Sequence, residues 1–188
     1  MNPIAKETKA TKELQLGINS ARTAEDAVSR RAQSLADRIE LGAAKLAAFA
    51  EELTEAEWRT PVSPTDPRSI GVIVHHVASV YPVEIDLARA IASGKAVTDV
   101  TWEVVAQMNA DHAQENVGIS KPVAIALLRR NSREAADIVR TFTDGELDRV
   151  APFSLSSGRP VTAQSVIEEH ALGHSLHHLA AIRRALSW

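Results

Sequence analysis

Hydrophobic and polar residues alternate along this chain with the period of an α-helix in four long segments. Apolar side chains recur there at steps of three or four residues, which places them on one face of each helix. The four apolar stripes run over residues 35–53, 70–81, 124–142 and 167–185. The pattern predicts four amphipathic helices and requires no β-strands.

Turn-forming residues separate these helices. The stretch "RTPVSPTDPRS", with its three prolines, predicts a loop before the second helix, and Ser69 is the expected N-cap of that helix. Pro82 is expected to kink the second helix and Gly94 to end it. Periodicity weakens from Lys95 to Lys121, which predicts a long connection with one short helix at "TWEVVAQMNADH". The final helix is expected to start at Thr162.

Two stretches of the chain resemble copies of one unit. The order "LTEAEW", "PVS", "RS" returns later as "FTDGEL", "PFS", "RPVT". In each copy a helix ends in Thr-x-x-Glu, which is capping-box spacing, and a loop then leads to a helix that bears histidines. Two such halves predict an all-α fold, a four-helix bundle with a long crossover between helices 2 and 3. Chance is the alternative, because short capping motifs are common.

Length and composition agree with one helical domain. A chain of 188 residues with 45% hydrophobic residues can bury one core, and an aromatic content of only 4% favours helices over sheets. Residues 1–31 are polar and weakly patterned, which predicts a tail or a loosely docked helix. The bundle domain is therefore expected to occupy residues 32–188.

Charge and cysteine content exclude several classes of function. The net charge is −3, without long runs of one sign, so neither nucleic acid nor a membrane surface is an expected partner. The chain has no cysteine, which excludes disulfides, thiolate ligands and a cysteine nucleophile. The N-terminus lacks the apolar core of a signal peptide, and no apolar run approaches membrane-spanning length. A cytoplasmic location is the prediction.

Four of the seven histidines lie close together near the C-terminus, in "HALGHSLHH". His174 and His178 are four residues apart, so a helix places both imidazoles on one face, where they can share a metal ion. His170 and His174 have the same spacing, whereas His177 points about 100° away from His178. The alternative is that these histidines are only solvated or hydrogen-bonded, since the i, i+4 pattern is frequent.

The second helix offers a further ligand in "VHHV". His76 lies on the flank of the apolar stripe and His75 nearer the opposite side, so His76 is the better inward ligand and His75 the alternative. One histidine from this helix and the pair His174 and His178 would supply three neutral nitrogens and leave coordination positions open, as in catalytic sites. His112 could reach a pocket from the crossover, but a polar loop explains it equally well.

The segments "SIGVIVHHVASV", "TDGELDR" and "HSLHHLAAI", in this order, resemble the DinB/YfiT-like superfamily from about Ala32 onward. The resemblance implies a four-helix bundle whose three histidines, here His76, His174 and His178, bind a divalent ion such as Zn, Ni or Fe. Many members continue the last motif as His-Arg-Gly-Gln, whereas this chain continues His178 with Leu-Ala-Ala. This departure predicts a divergent branch.

The resemblance also implies candidate activities. Relatives include thiol-dependent S-transferases and isomerases that use bacillithiol, mycothiol or glutathione, and others have no known activity. The implied function is a metal-dependent enzyme of detoxification, in which a low-molecular-weight thiol or water attacks a small-molecule substrate. A homodimer is a further expectation from the resemblance. The alternative is a non-catalytic dimeric helical module that binds a small ligand or partner, with the metal absent or structural.

Overall fold

The computed structural model describes residues 29–187, and the tail or docked helix predicted for residues 1–31 lies outside this range except for its last three residues. Three long helices are α1 (Arg30–Glu52), α3 (Ile70–Ala92) and α5 (Lys121–Arg140). The fourth is continuous but has three parts, α7 (Ala163–Val166), the π-helical segment π1 (Ile167–Leu172) and α8 (Gly173–Ala185). Shorter helices are α2 (Glu55–Trp58), α4 (Trp102–Glu115) and α6 (Asp144–Leu147), with one 3₁₀ turn at Ser154–Ser156.

The four long helices form a bundle around one core of aliphatic side chains. α1 packs against α5 and the C-terminal helix, and α3 packs against the same two neighbours. α1 and α3, although consecutive long helices, therefore lie diagonally across the bundle. Residues 93–120, which include α4, carry the chain from α3 to α5. The predicted four-helix bundle and its long crossover are confirmed.

The structure contains strands that periodicity did not predict. β1 (Pro61–Ser63) pairs antiparallel with β2 (Asp66–Ser69), and β3 (Val150–Pro152) pairs antiparallel with β4 (Pro160–Thr162). The expectation of no strands was wrong. Strands of three or four residues that contain proline are too short to show an alternating pattern, so they resemble loops in the sequence.

The two related stretches fold alike. Thr54 and Thr143 each start a one-turn helix with a complete capping box, and each helix buries its last residue, Trp58 or Leu147. A hairpin follows in both halves. The first residue of the next helix then donates its backbone N–H to the residue before the hairpin, in one half from Ile70 N to Thr60 O (2.9 Å) and in the other from Ala163 N to Arg149 O (3.1 Å). The bundle is therefore built from two copies of one unit.

The crossover is hydrogen-bonded to the rest of the protein at its two ends, and its helix also contacts α3. Near its start, Val97 N donates to the carbonyl oxygen of Pro152 in β3 (2.9 Å). Near its end, the carbonyl oxygen of Ile119 accepts a hydrogen bond from Nε1 of Trp58 in α2 (3.0 Å). The predicted short helix between these points is present as α4, which starts after the N-cap Thr101. None of the residues of α4 is buried, so this helix lies on the surface of the bundle.

α3 is the central apolar helix of the bundle. By length and composition it is apolar enough to cross a membrane, so the expectation that no apolar run approaches that length does not hold for it. Its most apolar window is 61% buried within the protein, as is usual for a core helix. The N-cap Ser69 accepts a hydrogen bond from Val72 N, as predicted, and Pro82 lies within the helix.

The leucines of the C-terminal helix differ in burial. Leu172 and Leu179 are buried, but Leu176 between them is 44% exposed. Gly173 follows the π-helical segment directly, and a Cβ there would lie 3.2 Å from the carbonyl oxygen of Glu168. The close approach favours glycine at the point where α8 begins.

Candidate metal centre

The structure brings the three predicted ligand histidines together. His76 lies in the second turn of α3 and is only 4% exposed, while His174 and His178 lie one turn apart in α8. One ligand atom from each ring can be chosen so that all three lie within 4.8 Å of one another. The corresponding helices of the two halves therefore bring their imidazoles to a single point, one from α3 and two from α8.

The distances suit a shared divalent ion. Nε2 of His76 lies 3.1 Å from Nε2 of His174, and the rings of His174 and His178 are stacked with centroids 4.8 Å apart. Two ring nitrogens bound to one ion at about 2.0–2.1 Å are about 3 Å apart when the angle at the metal is near 90–110°. The His76–His174 distance therefore matches that of two ligands of one ion.

A buried carboxylate supports one of these rings. Oε1 of Glu84 on α3 lies 2.5 Å from Nδ1 of His174, and the Glu84 side chain is almost completely buried. This contact fixes the ring so that Nε2 points towards His76, the arrangement in which a carboxylate orients a metal-binding histidine. Oε2 of Glu84 is buried without a hydrogen-bond partner among the described residues. Sequence reasoning missed Glu84, although a carboxylate on an apolar helical stripe was a signal for it.

Burial keeps two of the histidines neutral. Loss of solvent, followed by the neighbouring His174 and His178, lowers the pKa of His76 to about 2. Burial, followed by His174 and His177, lowers the pKa of His178 to about 3. A neutral imidazole offers the lone pair that a metal ion requires. The chemistry of these donors therefore fits a divalent cation.

The structure separates His75 from this group. Nδ1 of His75 lies 2.8 Å from Nε2 of His112 on α4, with the two rings stacked. Burial lowers the pKa of both residues. Nδ1 of His112 is buried without a hydrogen-bond partner among the described residues. His75 thus faces the crossover, and the geometry favours His76 as the ligand.

The other two C-terminal histidines do not join the three. His170 lies in π1 with its ring edge-on to Phe153, at a centroid distance of 5.5 Å. Burial lowers the pKa of His170. His177 is exposed, and its ring stands edge-on to that of His178. Both line a cavity next to the three histidines without belonging to the candidate ligand group.

A cavity of about 670 Å³ opens beside the three histidines. Its wall is mostly apolar and is shared between the bundle and the crossover. The apolar lining residues are Val80, Val83, Leu87, Val100, Trp102, Val105, Met108 and Leu155. Asn109 also lines it, as does Arg68, which sequence reasoning did not single out. The site therefore combines a metal-binding group with room for a small molecule.

Arg68 is held in position at this cavity by its neighbour on the hairpin. Nε and Nη2 of Arg68 donate to the two carboxylate oxygens of Asp66 at 2.8 and 2.7 Å. The hydrogen bonds from Arg68 lower the pKa of Asp66, which keeps that carboxylate ionised. The positive charge of Arg68 is among the causes that lower the pKa values of His76 and His178.

Comparison with known proteins agrees with this architecture. The structure is similar to YfiT from Bacillus subtilis, with a TM-score of 0.67 and 18% sequence identity over 87% of this chain and 92% of that one. YfiT is described as a probable metal-dependent hydrolase with an unusual four-helix bundle topology. No functionally curated protein matches the chain. Residues 38–182 match the family model of the DinB superfamily, and the chain is a member of that superfamily.

Proposed function

We propose that this protein is a metal-dependent enzyme in which His76, His174 and His178 bind one divalent ion, Zn, Ni or Fe. The observation that carries the proposal is the convergence of these three imidazoles on the wall of a cavity large enough for a small substrate. Three protein ligands leave coordination positions for substrate, as catalytic sites require. A buried site with no access to a pocket would have favoured a structural metal instead.

The residues of this chain prepare the site for chemistry. Glu84 orients His174, and burial keeps His76 and His178 in the neutral form that binds metal. A bound divalent ion would lower the pKa of a coordinated thiol or water and so supply a nucleophile near neutral pH. The apolar wall displaces water, which strengthens electrostatic interactions in the cavity.

Our first candidate reaction is transfer of an electrophilic group to a low-molecular-weight thiol. Because the chain has no cysteine, the sulfur must arrive on a cosubstrate. The sulfur forms a bond to the electrophilic carbon, and the leaving group departs with the electron pair of the broken bond and takes up the thiol proton. Hydrolysis is the second candidate, and the likeness to the probable hydrolase YfiT supports it.

Metal content tests the ligand assignment. Elemental analysis of the purified protein is expected to find about one divalent ion per chain, and His174→Ala is expected to lose it. His177→Ala is the matched control, because His177 lies in the same helix and lines the same cavity without joining the group. An unchanged metal content in His174→Ala would overturn the assignment.

Turnover tests the catalytic part. The metal-loaded protein is expected to consume model electrophiles faster with a low-molecular-weight thiol present than without it. Equal turnover with and without thiol would support hydrolysis, and no turnover by the metal-loaded protein would support the non-catalytic binding module. Homodimer formation, a cytoplasmic location and the lack of nucleic-acid or membrane partners remain predictions.

A further inference from the structure

Arg68 lines the cavity from just before α3, whereas the apolar lining residues Val80, Val83 and Leu87 follow His76 along α3. We infer that Arg68 binds an anionic group of the substrate, and that the substrate is an elongated molecule with this anionic group at one end and an apolar body at the other. That the reacting group of the substrate lies between these two ends, at the three histidines, rests on the proposed function. The recognition of the anionic group does not depend on a metal.

The Arg68 side chain is partly buried and held in one geometry, unlike a solvated surface charge. Its side chain is only 25% exposed, and Nε and Nη2 are committed to Asp66. Nη1 donates to no acceptor among the described residues, so its two N–H groups are available for a ligand. An arginine that a carboxylate already holds in one geometry loses little conformational entropy when it binds a second anion.

The order of residues along β2 and α3 sets the orientation of the ligand. Arg68 comes eight residues before His76, immediately before the N-cap Ser69, and Leu87 comes eleven residues after His76. Arg68, His76 and Leu87 all line the same cavity. At the rise of an α-helix, His76 and Leu87 are separated by ~16 Å along the axis. An anionic group at Arg68 therefore places an apolar body alongside the histidines and towards Leu87.

The remaining charges of the cavity favour the same orientation. Besides Arg68 and the histidines, its charged lining residues are Glu84 and Glu169. Glu84 follows His76 by eight residues on α3, on the opposite side from Arg68, and is buried against His174. Glu169 is exposed in π1, five residues before His174. Like charges repel an anion from that end, so Arg68 is the cationic side chain that attracts it.

Ligand binding to metal-free protein tests the inference. After removal of metal by a chelator, octanoate and octan-1-ol are titrated by calorimetry into the wild type, Arg68→Gln, Arg68→Lys and Arg59→Gln. Octanoate is expected to bind the wild type about tenfold more tightly than octan-1-ol, from one charge-assisted hydrogen-bonding contact. Arg68→Gln is expected to remove this preference and Arg68→Lys to restore part of it. Arg59→Gln is the matched control, because Arg59 does not line this cavity.

Several results would overturn the inference. They are failure of octanoate to bind the wild type, equal binding of octanoate and octan-1-ol, or an unchanged octanoate preference in Arg68→Gln. If Arg68→Gln does not fold, the comparison of the two ligands on the wild type decides alone. Since every titration uses metal-free protein, a failure of the metal assignment in the elemental analysis leaves this result standing, and the reverse also holds.

Discussion

Nδ1 of His174 lies 2.5 Å from Oε1 of Glu84, so a buried carboxylate on α3 holds the ring of a proposed metal ligand on α8. The same helix supplies His76, whose Nε2 lies 3.1 Å from Nε2 of His174. α3 therefore contributes both a ligand and the group that orients a ligand from the other half of the chain. The relationship makes Glu84 a positioning residue whose effect on metal affinity can be measured.

Replacement of Glu84 by glutamine is expected to weaken metal binding. The amide can still accept a hydrogen bond from His174, but it lacks the negative charge that raises the basicity of the ring. Loss of such outer carboxylates typically lowers metal affinity by about 10- to 100-fold. Titration against a competing chelator measures the change in the dissociation constant.

A matched variant separates this effect from loss of charge in the cavity. Glu169→Gln removes a carboxylate that lines the same cavity but makes no hydrogen bond to His174. Its metal affinity should remain within about twofold of the wild type, because surface charges act weakly through solvent. Equal weakening in both variants would mean that Glu84 acts through charge alone and does not position His174.

The two adjacent histidines of α3 are expected to differ in their effect on metal content. His76→Ala removes a proposed ligand and should leave the protein without stoichiometric metal. His75→Ala removes a ring that contacts His112 and should leave metal content unchanged. Elemental analysis of both variants, each checked for folding by circular dichroism, measures the difference. Metal loss in His75→Ala together with retention in His76→Ala would reverse the assignment.

Stability of the metal-free protein is expected to fall with acidification. The pKa of His76 is lowered by burial to about 2 and that of His178 to about 3, both from an ordinary value of 6.5. Below pH 6.5 the unfolded chain takes up protons that the folded chain refuses, so the free energy of unfolding decreases as pH falls. Each histidine contributes at most about 1.4 kcal/mol per pH unit. Thermal unfolding of chelator-treated protein from pH 7.5 to 5 measures the slope.

A variant assigns this slope to its source. His76→Asn removes one of the two histidines whose pKa values are lowered furthest, so the melting temperature of the metal-free variant should depend less on pH than that of the wild type. A wild-type melting temperature that stays constant over this range, or an unchanged slope in His76→Asn, would contradict the buried neutral state.

Gly71→Ala is expected to destabilise the fold through Trp58. A Cβ at position 71 would lie 2.5 Å from both Cε2 and Nε1 of the buried Trp58 ring, which is much closer than van der Waals contact. The ring must shift, and its hydrogen bond to the Ile119 carbonyl in the crossover is then lost. Overpacking of this kind costs about 1–3 kcal/mol. Denaturant unfolding measures it, with Gly118→Ala as control because nothing lies within 4 Å of a Cβ there.

Much of the fold could be predicted because helices carry a strong periodic signal. The stripe from Leu35 to Leu53 matches α1, and both Thr-x-x-Glu motifs form capping boxes as their spacing indicates. The hairpins could not be predicted in this way, since three-residue strands contain no measurable alternation. The π-helical segment Ile167–Leu172 was also missed, because one extra residue per turn does not alter composition.

The candidate site was predictable only where spacing fixes geometry. The i, i+4 separation of His174 and His178 places both rings on one helical face, whatever the rest of the chain does. The apolar stripe already favoured His76 over His75, and the position of α4 adds the contact of His112 that separates His75 from the group. Glu84 had a signal in the sequence, its place on an apolar stripe, but its partner His174 was not evident there. Arg68 required tertiary structure, because its role depends on the cavity that the bundle and the crossover form.

The two sides of the cavity differ in local stability, because one of them is formed by the crossover helix α4. One side belongs to the bundle, whose amides exchange with solvent only when the core opens. The other side carries Trp102, Val105 and Met108 on a helix with no buried residue. The crossover that holds this helix is attached at its ends through Val97 and Ile119, and α4 itself contacts α3 through His112 and His75. Amide hydrogens of α4 should therefore exchange much faster than those of α3. We expect a ligand to enter by local displacement of α4 and its His112, while His76, His174 and His178 stay in place.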